Sequence, residues 1–349
     1  MSLLLNQFNH MESNMTVVTK TAMPADRGAL DQNFRARRPV DLSLLDSASP
    51  AFTTAAPEIG RPQDPSELTL PELDGVLDHG AKVYWQYMRP DGKPSFTFGL
   101  LRDMKASIDH LTRLFADDSG QEVPVRYTVL ASRMPGIFNL GGDLRRFADL
   151  IRTQDRTTLD RYAKACIDVQ HPRSVKMNLP IVSISLVQGD ALGGGFEAAL
   201  ADDVIIAEKS AKFGLPECLF NLFPGMGALS FLTRKVGAPL AEKMVFSGQI
   251  YTAAELHEMG VVDVLAEDAM GEQAVYDFVE KTERSFASRR AVYAARQVIS
   301  PIRREELDRI VNMWVDAALS LAAADVRKME RLASAQDRRW AQIAATANQ

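Results

Sequence analysis

Apolar and polar residues recur along this chain in two rhythms, and the rhythm changes with position. Lys82-Val83-Tyr84-Trp85-Gln86-Tyr87-Met88 is rich in aromatic and β-branched residues, which suits a strand. Leu101, Met104, Ile108, Leu111 and Leu114 then recur at helical spacing, predicting a helix over 101–115. Phe96-Thr97-Phe98 reads as a short strand before it. Further strands are predicted at 125–130, 181–187, 204–207 and 261–265, with helical segments between them. Strands alternating with helices indicate an α/β core. Beyond residue 271 the pattern turns helical, with Leu307, Ile310, Val311, Trp314, Ala318 and Leu321 on one face and helix continuing towards Trp340.

Residues 1 to about 75 show little periodicity and many Pro, Ala, Ser and Asp residues, so they are expected to be disordered or loosely attached. Three regions follow: an extension (1–75), a core (76–270) and a C-terminal helical region (271–349). No internal repeat is visible.

Composition narrows the function classes. The 349 residues can bury a sizeable core, and 46% hydrophobic with 24% charged is ordinary for a globular protein. A net charge of -5 gives no reason to expect nucleic acid. Two cysteines, Cys166 and Cys218, exclude a disulfide framework, and Cys218 reads as a small core residue. No apolar run approaches the roughly 18 residues that a membrane span needs, and a cytoplasmic location is expected. His10, His79, His110, His171 and His257 fall in no metal-ligand spacing, and neither a metal nor a cofactor is predicted.

Chemistry concentrates in two stretches. The apolar run Ile181 to Val187 leads through Gly189-Asp190-Ala191-Leu192 into Gly193-Gly194-Gly195-Phe196-Glu197, which reads as strand, tight turn and helix. Phe213-Gly214-Leu215-Pro216-Glu217 follows, ahead of Phe223-Pro224-Gly225-Met226-Gly227. A second bare-backbone turn, Gly141-Gly142, precedes another predicted helix. Backbone N–H groups at such turns can face an anion or a developing oxyanion. Two carboxylates beside them suit chemistry on an activated carbonyl, one removing a proton while the other donates one. A glycine cluster alone is weak evidence, and the dinucleotide spacing G-x-G-x-x-G is absent. Surface carboxylates at helix starts are the bland alternative for Glu197 and Glu217.

On these residues the chain resembles the crotonase (enoyl-CoA hydratase/isomerase) superfamily. The stretches carrying the likeness are Phe138 to Leu144, Gly189 to Leu200 and Gly214 to Gly227, in order and with matching internal spacing. The resemblance implies a spiral of ββα units, a homo-oligomer (trimer or hexamer) and no cofactor. It also implies that Glu197 and Glu217 are the catalytic pair and that the N–H groups of Gly142 and Gly194 form the oxyanion hole, with Gly141 as the alternative first donor. Phe138 to Leu144, Leu186 to Leu200, Leu215 to Gly227 and Trp314-Val315-Asp316 resemble more closely the diffusible signal factor synthases of bacterial quorum sensing. That likeness implies dehydration of a medium-chain 3-hydroxyacyl carrier protein, then thioester hydrolysis to a free cis-2-unsaturated fatty acid. The long extension departs from that pattern.

Leu192, Met226, Trp314 and Leu332 are candidates for the walls of an acyl tunnel, with ordinary core packing an equal alternative. Arg145 and Arg146 are candidates for the phosphopantetheine arm or an acidic carrier protein, against a solvated helix face. Arg303, Arg304, Arg327, Arg331, Arg338 and Arg339 are expected on solvated faces. The competing functions are an enoyl-CoA hydratase or isomerase that leaves an acyl-CoA thioester intact, and a regulatory binding protein with a vestigial site.

Overall fold

The computed structural model describes residues 67–116 and 125–347. Eleven strands are numbered here in chain order. A seven-stranded sheet contains β1 (Leu68–Thr69), β2 (Leu73–Asp78), β3 (Val83–Met88), β4 (Tyr127–Ser132), β6 (Val182–Val187), β8 (Val204–Glu208) and β11 (Val264–Ala266), in the order β1-β2-β3-β4-β6-β8-β11. β1, β2 and β3 pair antiparallel; every pair from β3 onward is parallel. A four-stranded sheet has the order β10-β9-β7-β5, from β5 (Ile137–Asn139), β7 (Asp190–Leu192), β9 (Lys212–Gly214) and β10 (Ile250–Thr252).

The connection between the sheets is regular. β4 leads to β5, β6 to β7 and β8 to β9, so each pair gives its first strand to the large sheet and its second to the small one. Helices follow each pair: Leu144–Arg152 and Arg156–Ser174, then Gly194–Leu200, then Ala228–Val236 and Ala238–Ser247. This is a spiral of ββα units, as the sequence likeness implies. One consequence fixes the site. The chain leaves β5, β7 and β9, three adjacent parallel strands, at the same end of the small sheet.

Packing follows strand alternation. Val83, Trp85, Tyr87, Val129, Val182, Ile184, Leu186 and Ile206 form one core with Val275 and Val279 of the Gly271–Thr282 helix. Met88, Leu130, Val187, Ile205 and Ala207 belong to the main core with Leu100, Leu101, Met104 and Ile108 of the Phe98–Ala116 helix. Both faces of β6 are therefore covered, which is why Val182–Val187 is buried at every position. The C-terminal helices Arg304–Leu319 and Ala323–Ala347 pack into the same main core through Leu307, Val311, Trp314, Val315, Met329 and Leu332.

Two expectations are corrected. Phe96-Thr97-Phe98 forms no strand: Phe96 makes a single bridge to Gly142, and the hydroxyl of Thr97 accepts the Leu100 N–H at 2.9 Å, starting the helix at Phe98. Order also begins before residue 82, because β2 lies between β1 and β3 in the large sheet with Leu73 fully buried. Arg89 bonds both oxygens of Asp74, at 3.0 and 3.1 Å. Most of the 1–75 extension lies outside the described residues. A chain starting at Val76 loses Leu73 and the Asp74–Arg89 pair, whereas one starting at Glu67 keeps both. The Val76 start is expected to be less stable by about 2–5 kcal/mol, the usual cost of deleting a large core side chain, as measured by urea unfolding.

Candidate active site

The three turns that leave β5, β7 and β9 touch one another because side chains are absent where they meet. Gly141 has φ +82°, and a Cβ there would lie 2.7 Å from the Gly194 nitrogen. Gly193 has φ +51°, and a Cβ there would lie 2.7 Å from Oε1 of Glu217. Both positions need glycine for conformation and for space. The Gly193 N–H donates to the Gly214 carbonyl at 2.8 Å, joining the second and third turns.

Hydrogen bonding then separates the candidate donors. The Gly141 N–H donates to Oδ1 of Asn139 at 2.7 Å, and its carbonyl accepts the Phe96 N–H at 2.8 Å. Gly141 is thus committed to shaping its turn, which removes it as the alternative donor. The N–H groups of Gly142 and Gly194 donate to no protein acceptor among the described residues. Gly194 is the first residue of its helix, where an orphan N–H is expected. Both glycines line one cavity with Glu197 and Glu217.

That cavity, of about 50 Å³, is lined by polar and apolar groups together. Leu140, Leu144, Phe147, Phe220, Leu222, Val311 and Trp314 are among its apolar walls. Phe147 meets Tyr162 and Trp314 edge-on, with ring centroids 5.1 and 5.3 Å apart. The Tyr162 hydroxyl donates to the Phe96 carbonyl at 2.9 Å.

The two carboxyls, Glu197 buried and Glu217 half-buried, sit in unequal surroundings. Glu197 lies on the Gly194–Leu200 helix with 2% exposure, and its Oε1 accepts the N–H groups of Met226 at 2.7 Å and Ala228 at 2.9 Å. These belong to the start of the Ala228–Val236 helix, which favours negative charge. Burial pushes the Glu197 carboxyl up to about 7, while those backbone donors hold it down. Glu217 is held well above the usual carboxylate range by burial and then by the charge of Glu197. Its Oε2 is enclosed without a hydrogen-bond partner. Of the two, Glu217 holds its proton more tightly, and Glu197 is the carboxyl that ionises first.

The remaining sequence candidates divide. Met226 and Trp314 line the cavity. Leu192 does not: it packs with Ile137, Leu140 and Ile250 in a separate cluster. Leu332 is buried in the main core and is also not a wall. Arg145 is exposed and bonds Asp337 at 2.6 Å and Ser334 at 3.1 Å, so it ties its helix to the C-terminal helix. Arg146 lies over the Phe98 ring, 5.7 Å from its centroid. Arg339 departs from a solvated face, being 4% exposed and paired with Asp190 at 3.4 Å. Cys218 is half-buried, with burial raising its thiol to about 11, so it is held protonated. Sequence reasoning missed Phe147, Tyr162, Cys166 and Gln336 as cavity residues. Each is one unremarkable position on a helix, with no spacing signal to single it out.

The family model described as enoyl-CoA hydratase/isomerase matches residues 88–307. The mitochondrial methylglutaconyl-CoA hydratase of Rattus norvegicus is 27% identical over 230 residues, covering 66% of this chain and 68% of the relative. The 2,3-dehydroadipyl-CoA hydratase of Escherichia coli is 33% identical over 211 residues, covering 60% and 72%. Among solved structures, enoyl-CoA hydratase from Bacillus halodurans superposes with TM-score 0.62 at 19% identity, covering 74% of this chain and 99% of that one. DspI from Pseudomonas aeruginosa superposes with TM-score 0.55 at 24% identity, covering 70% and 95%. At these identities the structural likenesses establish the fold.

The buried pair has a measurable cost. With folded-state pKa values raised, the folded protein holds protons that the unfolded chain releases above about pH 4.5, so this contribution to stability falls as pH rises through neutrality. Glu217→Gln removes the penalty. Its melting temperature is expected to exceed that of the parent at pH 8, with the gap shrinking at pH 5. A gap independent of pH would show that Glu217 is not a buried, proton-holding carboxyl.

Proposed function

The chain belongs to the enoyl-CoA hydratase/isomerase family, and we propose that it dehydrates a medium-chain 3-hydroxyacyl thioester and then hydrolyses the thioester, releasing a cis-2-unsaturated fatty acid. The observation that carries the reading is the unequal carboxyl pair beside two uncommitted backbone donors. The thioester carbonyl oxygen would accept the N–H groups of Gly142 and Gly194. Charge building on that oxygen, first as an enolate and later in a tetrahedral intermediate, is stabilised by the same two donors.

The proton bookkeeping closes over two steps. In dehydration the Glu197 carboxylate takes the C2 proton while Glu217 protonates the C3 hydroxyl, which leaves as water as the C2=C3 bond forms. Glu197 is then protonated and Glu217 ionised. In hydrolysis the Glu217 carboxylate takes a proton from the water attacking C1, and Glu197 protonates the departing thiolate sulfur. The starting protonation state returns. One water is released and one consumed, so the net reaction converts a 3-hydroxyacyl thioester to a free enoic acid and a thiol.

The apolar walls from Leu144 to Trp314 suit an alkyl chain, and the close motif likeness to signal factor synthases supports an acyl carrier protein as the thioester's carrier. The printed activities of the rat and E. coli relatives favour a second reading, in which an enoyl-CoA thioester is hydrated and left intact.

Purified protein incubated with a 3-hydroxyacyl carrier protein is expected to yield free 2-unsaturated acid, detected by mass spectrometry. Dehydration with the thioester retained would establish the second reading. Glu197→Gln and Glu217→Gln are each expected to lower turnover by about 100- to 10,000-fold with the fold kept, because glutamine cannot exchange a proton at neutral pH. The turnover rate should rise with pH as Glu197 ionises near 7 and fall again when Glu217 loses its proton. Near-normal turnover by either variant would remove that residue from the mechanism.

A further inference from the structure

Gln336 is the one side-chain amide among the cavity walls of the described residues, and it reaches the cavity from the C-terminal helix. It is 2% exposed. Its Nε2 donates to the Leu140 carbonyl at 3.5 Å, immediately before the Gly141-Gly142 turn. Its Oε1 is enclosed and has no hydrogen-bond partner in the protein. The assignment of the two amide ends is settled by chemistry, since a carbonyl oxygen can face only the donor end of the amide. A buried amide oxygen left unpaired is costly. Apolar residues fill most of the other wall positions, and a Leu or Met at 336 would avoid that cost.

We propose that Gln336 is a specificity-determining residue whose Oε1 accepts a hydrogen bond from the bound thioester. The proposal rests on reading the cavity as the thioester site. Every group that the mechanism offers the substrate is either a backbone donor, at Gly142 and Gly194, or one of the two proton-exchanging carboxyls. Oε1 of Gln336 is different: a neutral acceptor that cannot take the proton. It fits an O–H or N–H on the ligand, which is either the C3 hydroxyl of the acyl group or an amide N–H of the pantetheine arm. Because Leu140 anchors the other end of the amide, the acceptor is held in register with the oxyanion turn two residues on. A substrate lacking the matching donor would leave Oε1 unpaired and bind less well.

Binding measurements separate these sources. In a Glu197→Gln background that prevents turnover, calorimetry would compare 3-hydroxyoctanoyl-CoA, octanoyl-CoA and ethyl thiooctanoate, with and without Gln336→Met. If the hydroxyl is the donor, Gln336→Met weakens 3-hydroxyoctanoyl-CoA about 10-fold or more and leaves octanoyl-CoA unchanged. If a pantetheine amide is the donor, both CoA thioesters weaken alike and ethyl thiooctanoate, which has no amide, does not. Either pattern supports the proposal, and Gln336→Leu should reproduce it. Equal weakening of all three ligands would make Gln336 a structural support of the Leu140 turn and overturn the proposal. Unchanged binding of all three would overturn it as well. Failure of the Glu197→Gln parent to bind any of them would instead overturn the reading of the cavity itself.

Discussion

A carboxylate held at the start of a helix is the interaction on which the rest of the site depends. Glu197 is buried on one short helix, yet its Oε1 is fixed by two N–H groups at the entry to another, Met226 just before it and Ala228 its first residue. Without those donors, desolvation alone would keep Glu197 protonated, and it could not act as a base near neutral pH. With them, its pKa is brought to about 7. The neighbouring Glu217 lacks such donors at Oε2, and burial with the charge of Glu197 holds its carboxyl well above the usual range. Two residues of identical chemistry are set apart because one faces a helix N-terminus and the other faces its partner's charge.

That arrangement is possible only because three turns meet without side chains. The parallel pairing of β5, β7 and β9 brings the turns to one end of the small sheet, and glycine lets them close on each other. A Cβ at Gly195 would lie 1.9 Å from the Asn139 carbonyl oxygen, and one at Gly141 would strike Gly194. The same closeness that forbids side chains leaves the two uncommitted N–H groups in a single cavity. Backbone geometry, not side-chain selection, builds this part of the site.

The fold was legible where elements are long and the site where motifs are dense. The strands at 83–88, 127–132, 182–187 and 204–208 carry apolar runs that reveal them, and the Phe98–Ala116 helix carries a clear stripe. β5, β7, β9 and β10 are three residues each, too short to show any period, so the small sheet was invisible although its turns were not. Glu197, Glu217 and the glycines stood out because sequence-local motifs place them. The cavity walls did not: Leu192 and Leu332 looked as suitable as Met226 and Trp314, since apolarity does not say which way a side chain points. Gln336 lies 119 residues beyond Glu217 in the chain, and only tertiary packing brings it to the cavity.

Met226 shows how tightly the two halves of the chemistry are joined. Its N–H holds Glu197, while a Cβ on Gly194 would lie 2.6 Å from its sulfur, so its side chain packs directly on the Gly193-Gly194 turn. A displacement of Met226 therefore disturbs Glu197 and that turn together. A flexible, unbranched thioether suits that place, because it can fill an irregular gap against bare backbone without forcing the turn apart. A β-branched residue would keep the N–H but press on Gly194; a small one would keep the turn but open a void beside it. Glu197 and the turn at Gly194 thus share one support in Met226.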